Sequence, residues 1–96
     1  TKIANDVVIG NLCNIGHGVS IADKVWISVG SLVGGNSQLE AYSSLGMGVR
    51  IKDNTIISAN SSIGMGTVLT KNTENNSSYF GNPGKKIRKI KVGPDR

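Results

Sequence analysis

The chain has one histidine, His17, and it stands between two glycines. An exposed histidine at a turn is usually only a turn residue, but an imidazole can also accept a proton from an attacking hydroxyl or amine. Eighteen residues further on the chain has Gly35, whose amide is not shielded by a side chain. If residues 18 apart stack, this bare amide lies beside the imidazole. A base beside an amide donor is an arrangement that suits acyl transfer.

The spacing of the aliphatic residues is the reason to expect such stacking. An aliphatic residue occupies every sixth position from Ile3 to Leu69 without interruption. A helix repeats its apolar face every 3.6 residues and an isolated strand every 2, so neither explains a period of six. That period is typical of a parallel β-helix, in which three hexads form one triangular coil and stacked coils lie about 4.8 Å apart. The sequence predicts an all-β fold, with a hexapeptide-repeat β-helix over residues 1–70 and a short basic C-terminal tail over residues 71–96.

The other columns of the repeat agree with this fold. With the aliphatic residue as position one, position five is small or β-branched, and position two is mostly Gly, Ala or Ser, as a sharp corner requires. The only cysteine, Cys13, occupies position five. We therefore expect it to be a buried small side chain rather than a nucleophile.

Two outward features of the repeat are candidates for contact with a ligand or another chain. Trp26 occupies position six in the same column as Val8, and an outward tryptophan on a neutral prism indicates a subunit contact or a ligand wall. Met47 and Met65 lie 18 residues apart, each between two glycines. Such glycines let an extended ligand lie against the backbone, although the same sequence also makes an ordinary β-helix corner.

The net charge of +5 comes from the C-terminal tail. Before residue 85 five basic residues balance five acidic ones, whereas six basic residues and one acidic residue follow. Such a cluster can bind nucleic acid or a membrane surface, but no aromatic residue lies within it. A solvated tail, or a site for a phosphate-bearing small molecule, is favoured, and we expect no nucleic-acid or membrane partner.

The repeat ends at Leu69, and the pattern changes after it. Residues 71–78 are polar and rich in asparagine, which predicts a loop, and the sequence Gly-Asn-Pro-Gly at 81–84 predicts a turn. A solenoid must cover its last coil, whose edge groups are otherwise unpaired. We expect apolar side chains of the tail to provide this cover: Tyr79, Phe80, Ile87 and Ile90.

The hexads, the closing Gly81-Asn82-Pro83 and the basic tail together resemble the left-handed β-helix acyltransferases. The resemblance covers nearly the whole chain and is closest to the sugar acetyltransferases of the sialic-acid and bacillosamine type. It implies a left-handed helix, a hand that the repeat itself does not specify. It also implies a homotrimer with acetyl-CoA bound in the groove between neighbouring chains.

The resemblance assigns roles position by position. The corner histidine that serves as general base in the family falls on His17, and the glycine amide that holds the thioester oxygen falls on Gly35. Two departures from the family pattern are visible. Gly18 stands where the family commonly has an acidic residue after the base. The family's N-terminal sugar-nucleotide-binding domain has no counterpart in this sequence.

The donor residues follow in the same way. Backbone contacts to the pantetheine arm fall on Met47 and Met65, and a second histidine of the family falls on Trp26. We expect acetyl-CoA to lie along the side that carries the glycine amide and the two methionines, with basic residues near the tail assisting its phosphates. The expected donor-binding residues are Trp26, Gly35, Met47, Met65, Lys71 and Lys85.

The predicted function is acetyl transfer from acetyl-CoA to an amine or hydroxyl of a sugar or sugar nucleotide, with His17 as general base. A single histidine cannot supply the several ligands that a carbonic anhydrase of this architecture needs, so no metal is expected. With no apolar run of membrane-spanning length and no signal peptide, a soluble, cytoplasmic protein is expected. A non-catalytic trimerisation or scaffold module is the main alternative, because Trp26 and Gly18 depart from the family pattern. An enzyme that uses acyl carrier protein as its donor is the second.

Overall fold

The structure, a computed structural model, describes residues 1–89 of the 96-residue chain. Each of the first twelve strands is two residues long, and these strands recur every six residues. Two longer strands follow. The strands are β1 (Lys2–Ile3), β2 (Val8–Ile9), β3 (Asn14–Ile15), β4 (Ser20–Ile21), β5 (Trp26–Ile27), β6 (Leu32–Val33), β7 (Gln38–Leu39), β8 (Ser44–Leu45), β9 (Arg50–Ile51), β10 (Ile56–Ile57), β11 (Ser62–Ile63), β12 (Val68–Leu69), β13 (Ser77–Phe80) and β14 (Lys85–Lys89).

The strands form three sheets, which are the three faces of a triangular prism. Sheet A has the order β1-β4-β7-β10, sheet B the order β2-β5-β8-β11-β13-β14, and sheet C the order β3-β6-β9-β12. Within the repeat all pairings are parallel, and partners differ by 18 residues, as in Ile3 with Ile21 and Ile9 with Ile27. The expected parallel β-helix with three hexads per coil is therefore confirmed.

Three columns of turns join the sheets. The AB corner comprises residues 4–7, 22–25, 40–43 and 58–61, and the BC corner comprises residues 10–13, 28–31, 46–49 and 64–67. The CA corner comprises residues 16–19, 34–37 and 52–55. At each corner position four adopts a positive φ, which favours glycine and asparagine. At the AB corner Lys24 donates to Asp6 over 3.1 Å, and this contact raises the pKa of the exposed lysine.

The core is a stack of the position-one aliphatic side chains. From the second coil onward they are at most 2% exposed, as Ile27 and Ile57 illustrate. Each such burial contributes about 1.5 to 3 kcal/mol before chain entropy is subtracted. Position five adds small side chains. The hydroxyl groups of Ser31 and Ser37 each donate to a carbonyl of the next coil, whereas the buried Ser43 Oγ has no hydrogen-bond partner within residues 1–89. Ser31 Oγ donates to the carbonyl of Gly46 over 2.9 Å.

The C-terminal segment differs from the expected loop. Residues 77 and 78 belong to β13, which pairs in parallel with β11 and so continues sheet B, and the expected turn at 81–84 leads into antiparallel β14. Tyr79 covers the core at 8% exposure, and its hydroxyl accepts the Glu74 amide over 2.9 Å. Phe80 and Ile87 do not cover it, because the hairpin extends the sheet instead of folding over the last coil; they are 54% and 63% exposed. Ile90 lies outside the described residues.

Candidate active site

His17 is exposed at the CA corner, between two glycines that the corner requires. A Cβ atom at Gly16 would lie 2.6 Å from the amide nitrogen of Gly35 in the next coil, so this position requires glycine. Gly18 has a φ of +73°, which is strained for other residues. The two glycines flanking the histidine are thus explained by the corner itself, and the imidazole projects from bare backbone.

Gly35 lies directly above His17. The amide of Asn36 donates to the carbonyl of His17 over 2.8 Å, and a Cβ atom at Gly35 would lie 3.3 Å from that same carbonyl oxygen. The amide of Gly35 itself donates no hydrogen bond within residues 1–89. The histidine and a bare amide therefore occupy successive levels of one corner.

Other position-three amides of the prism show that this group is accessible from outside. At the AB corner the amide of Asn5 donates to Asp23 Oδ1 over 2.9 Å, and the amide of Ala59 donates to Glu40 Oε1 over 3.2 Å. In both cases the acceptor is a side-chain carboxylate from another coil. Asp53 lies one coil above Gly35, as Asp23 lies above Asn5, but its Oδ2 accepts from Asn54 Nδ2 over 3.3 Å and not from the Gly35 amide. Within residues 1–89 that amide therefore remains available to an oxygen atom of a ligand.

The surroundings of His17 leave its ring without an orienting partner in a single chain. The imidazole forms no hydrogen bond within the described part of the chain, and the next residue, Gly18, has no side chain to provide one. A shallow cavity of about 320 Å³ lies on the outer face of sheet A, but neither His17 nor Gly35 lines it. The base and the amide thus stand on an open edge of the prism.

The BC corner carries the two methionines on a strip of bare backbone. Met47 and Met65 are 52% and 62% exposed, and they stack because the amide of Gly66 donates to the carbonyl of Met47 over 2.8 Å. Gly48 and Gly66 fill the positive-φ positions, and a Cβ atom at either would contact nothing within 4 Å. At the AB corner the same position carries side chains such as Tyr42. Only at the BC corner does an open glycine strip run beside the exposed methionines.

The residues predicted for the donor site do not meet within one chain. His17 and Gly35 lie at the CA corner and Met47 and Met65 at the BC corner, so the two pairs stand on opposite edges of sheet C. Trp26 lies on the outer face of sheet B, 55% exposed. Its Nε1 donates to Ser28 Oγ over 3.2 Å.

The two predicted phosphate-binding lysines are also apart in the fold. Lys71 is exposed and follows β12 at the C-terminal edge of sheet C, above the corner of His17. Lys85 is exposed at the start of β14, at the edge of sheet B. Lys85 therefore belongs to sheet B, which adjoins the BC corner and its two methionines.

Phe80 is a possible contact residue that the sequence pattern does not identify. Its ring lies over Gly64, where a Cβ atom would lie 2.5 Å from Phe80 Cδ1, and the absence of a side chain there makes room for the ring. The hexad count gives no signal of this contact, because residues 70–76 interrupt the repeat and shift the register from 18 to 16 residues.

Within residues 1–89 no group of three or more His, Cys, Asp or Glu side chains is placed to hold a metal ion. The same residues include no helix with the length and apolarity needed to span a membrane.

Solved structures resemble this chain in fold. A serine acetyltransferase from Brucella abortus strain S19, in complex with coenzyme A, matches with a TM-score of 0.76 and 19% identity over 91% of this chain and 41% of the enzyme. A mutant of AntD, an N-acyltransferase from Bacillus cereus in complex with dTDP-4-amino-4,6-dideoxyglucose and coenzyme A, matches with a TM-score of 0.74 and 17% identity over 92% of this chain and 66% of that one. UDP-N-acetylglucosamine acyltransferase from Arabidopsis matches with a TM-score of 0.81 and 16% identity, over 91% and 38%.

These likenesses establish the fold, a left-handed parallel β-helix like that of the hexapeptide-repeat acyltransferases, and the predicted fold class is confirmed. The chain spans about 40% of the length of the serine acetyltransferase structures. No protein-family model matches the chain, and no curated protein sequence does either.

Proposed function

We propose that the protein is an acetyltransferase that moves an acetyl group from acetyl-CoA to an amine or hydroxyl of a sugar or sugar nucleotide. The observation that carries this proposal is the exposed His17 one coil below the unpaired amide of Gly35. A proton acceptor and an oxyanion donor on adjacent levels are the two groups that transfer from a thioester needs.

The proposed reaction is a direct displacement. The acceptor nitrogen or oxygen attacks the thioester carbonyl while His17 takes the acceptor's proton. The amide of Gly35 donates to the oxygen that becomes negative as the tetrahedral intermediate forms. The carbon–sulfur bond then breaks, and the coenzyme A thiolate leaves and takes up a proton. No covalent acyl-enzyme is involved.

The site is completed by a second copy of the chain in a homotrimer. The donor strip at Met47 and Met65 and the base at His17 lie at different corners, on opposite edges of sheet C. We propose that a donor bound on the strip of one chain presents its thioester to His17 of the neighbouring chain. Exposed apolar side chains on the faces, Val8 and Trp26 on sheet B, supply area for such contacts.

The nature of the fold neighbours supports the donor and the acceptor class. The serine acetyltransferase was solved with coenzyme A, and AntD with both coenzyme A and an amino sugar nucleotide. Within that range we propose an acceptor of the sialic-acid or bacillosamine kind, because the closing Gly81-Asn82-Pro83 and the tail resemble those enzymes. We place the reaction in the cytoplasm because acetyl-CoA is its donor.

A non-catalytic scaffold is the competing function, and one observation favours it. The imidazole of His17 has no orienting partner within residues 1–89, whereas a general base usually has one. In our proposal the neighbouring chain or the bound acceptor supplies that partner.

Calorimetry with acetyl-CoA separates the enzyme from the scaffold. An acetyltransferase should give a saturable heat below millimolar ligand, and its affinity should weaken as salt is raised because phosphates contribute to binding. A scaffold has no reason to bind acetyl-CoA. Absence of heat at millimolar acetyl-CoA would overturn the proposed function.

A further inference from the structure

Asn36 is a polar side chain at the CA corner that has no part in the reaction described above. It follows Gly35 directly in the chain, and its backbone amide donates to the carbonyl of His17 over 2.8 Å. Asn36 therefore stands one coil above Gly18, the residue after the histidine. The proposed base, the proposed oxyanion donor and this carboxamide thus share one part of the corner.

The carboxamide of Asn36 extends over the bare backbone of Gly18. A Cβ atom at Gly18 would lie 3.4 Å from Asn36 Cγ and closer still to Asn36 Oδ1. The oxygen thus fills the space that a side chain at position 18 would need, next to the residue that carries the imidazole. Asn36 is exposed, and its carboxamide forms no hydrogen bond within residues 1–89. Its Oδ1 is therefore an acceptor that a ligand can use.

A free acceptor oxygen in this place distinguishes an attacking amine from an attacking hydroxyl. The attacking atom must lie within reach of His17 and of a carbonyl carbon whose oxygen is held by the Gly35 amide. An amine has two N–H groups there, so one can donate to His17 and the other to Asn36 Oδ1. A hydroxyl has a single proton, which His17 takes. One of its lone pairs would then face the carboxamide oxygen without a hydrogen bond.

We propose that Asn36 is a specificity-determining residue whose Oδ1 accepts the second N–H of the acceptor, and that the protein acetylates amino sugars in preference to sugar hydroxyls. This inference rests on the acetyl transfer proposed above.

The transfer step has the following balance. The amine nitrogen forms a bond to the acetyl carbon, and the bond from that carbon to sulfur breaks. One amine proton passes to His17. The other stays on the nitrogen, held by Asn36, and becomes the N–H of the product amide. The coenzyme A thiolate leaves and takes up a proton.

The test compares acceptors that differ only in the nucleophile. One pair is dTDP-4-amino-4,6-dideoxyglucose, the amino sugar nucleotide bound in the AntD structure, and dTDP-6-deoxyglucose. The second pair is glucosamine and glucose. With acetyl-CoA as donor, kcat/KM should be higher for the amine of each pair. Because an amine is also the better nucleophile in solution, the deciding quantity is the change in the amine-to-hydroxyl ratio when Asn36 is replaced.

Two replacements of Asn36 separate its oxygen from the rest of the side chain. Asn36→Gly removes the carboxamide and suits the backbone, since Asn36 has a φ of 60°. It should lower kcat/KM for the amine about tenfold, as loss of one hydrogen bond to the substrate does, and leave kcat/KM for the hydroxyl unchanged. Asn36→Asp keeps an acceptor oxygen and removes the amide donor. It should retain the amine preference at a pH of about 8.5, where an imidazole with an ordinary pKa is neutral.

Asn60→Gly is the matched control. Asn60 has nearly the same backbone conformation as Asn36, with a φ of 59°, but lies at the AB corner, away from the histidine. This variant should leave kcat/KM for both members of each pair unchanged. Acetyl-CoA affinity should be the same in all the variants, and thermal melts establish that each is folded.

The outcomes separate this inference from the proposed function. If the unaltered protein neither binds acetyl-CoA at millimolar concentration nor acetylates any acceptor, both fail. If transfer occurs but Asn36→Gly leaves the amine-to-hydroxyl ratio unchanged, only the role of Asn36 is wrong. It is equally wrong if Asn36→Gly slows both acceptors alike, because the side chain would then act on the histidine or on the fold. Binding of acetyl-CoA without transfer to either amine also overturns this inference and leaves the donor as proposed.

Discussion

Replacing His17 by alanine should remove the proposed base without disturbing the fold. The imidazole is exposed and makes no hydrogen bond within residues 1–89, and the surrounding glycines leave it no core to pack against. The free energy of unfolding should therefore change by no more than about 0.5 kcal/mol. For a chain of this size that corresponds to a shift in Tm of at most about 4 °C.

The effect on the rate should be far larger. Loss of a general base lowers the rate by about 10² to 10⁴, which is roughly 2.7 to 5.5 kcal/mol in the activation barrier. The fall should appear in kcat, while the affinity for acetyl-CoA and the oligomeric state stay as they were, because the donor strip lies at another corner.

The assay follows release of the coenzyme A thiol in the presence of an acceptor. An amino sugar nucleotide is the first choice of acceptor, and a sialic acid or another sugar hydroxyl is the second. Cys13 is only partly buried, so its own reaction with a thiol reagent is subtracted with a blank that lacks acceptor. Asn5→Ala, which alters the same exposed position of the repeat at the AB corner, is the matched control. Full activity of His17→Ala on a verified acceptor would show that this histidine is only a turn residue.

Two further predictions concern packing and assembly. Gly34→Ala should destabilise the prism strongly, because its Cβ atom would lie 2.3 Å from the backbone nitrogen of Asp53. Gly35→Ala should fold, because its Cβ atom would lie 3.3 Å from the nearest atom, the carbonyl oxygen of His17. Thermal melts in which Gly35→Ala is the less stable variant would contradict the stacking. Light scattering should give about three times the chain mass of 10.0 kDa. Trp26→Asp should shift the measured mass toward that of one chain at low concentration. If the unaltered protein is a monomer at all concentrations, a site shared between chains is excluded.

Much of this fold follows from the sequence because its register is local. The aliphatic period of six has no interruption from Ile3 to Leu69, so counting in steps of 18 is enough to stack Gly35 on His17 and Met65 on Met47. Inward and outward positions are also set by the period, since each short strand sends one side chain in and the next out. The alternation of exposed and buried residues in the repeat agrees with that count.

Where the period ends, only the tertiary structure decides the arrangement. Residues 70–76 break the hexad count, and the chain rejoins sheet B with Tyr79 beside Ile63, a pairing that brings Phe80 over Gly64. Antiparallel pairing with β13 then divides the basic residues of β14 between two faces, and composition alone cannot assign them. Ile87, expected to cover the core, is left exposed by the same pairing.

The sequence by itself determined the repeat, the stacking columns and the residues that share a corner, because these depend on contacts fixed by a constant chain spacing. The hand of the helix and the course of residues 77–89 were decided by the tertiary structure. A hexad period is the same for a left-handed and a right-handed coil. Which groups face one ligand depends on the corners of the closed prism, and these have positions only after the three sheets have packed around one core.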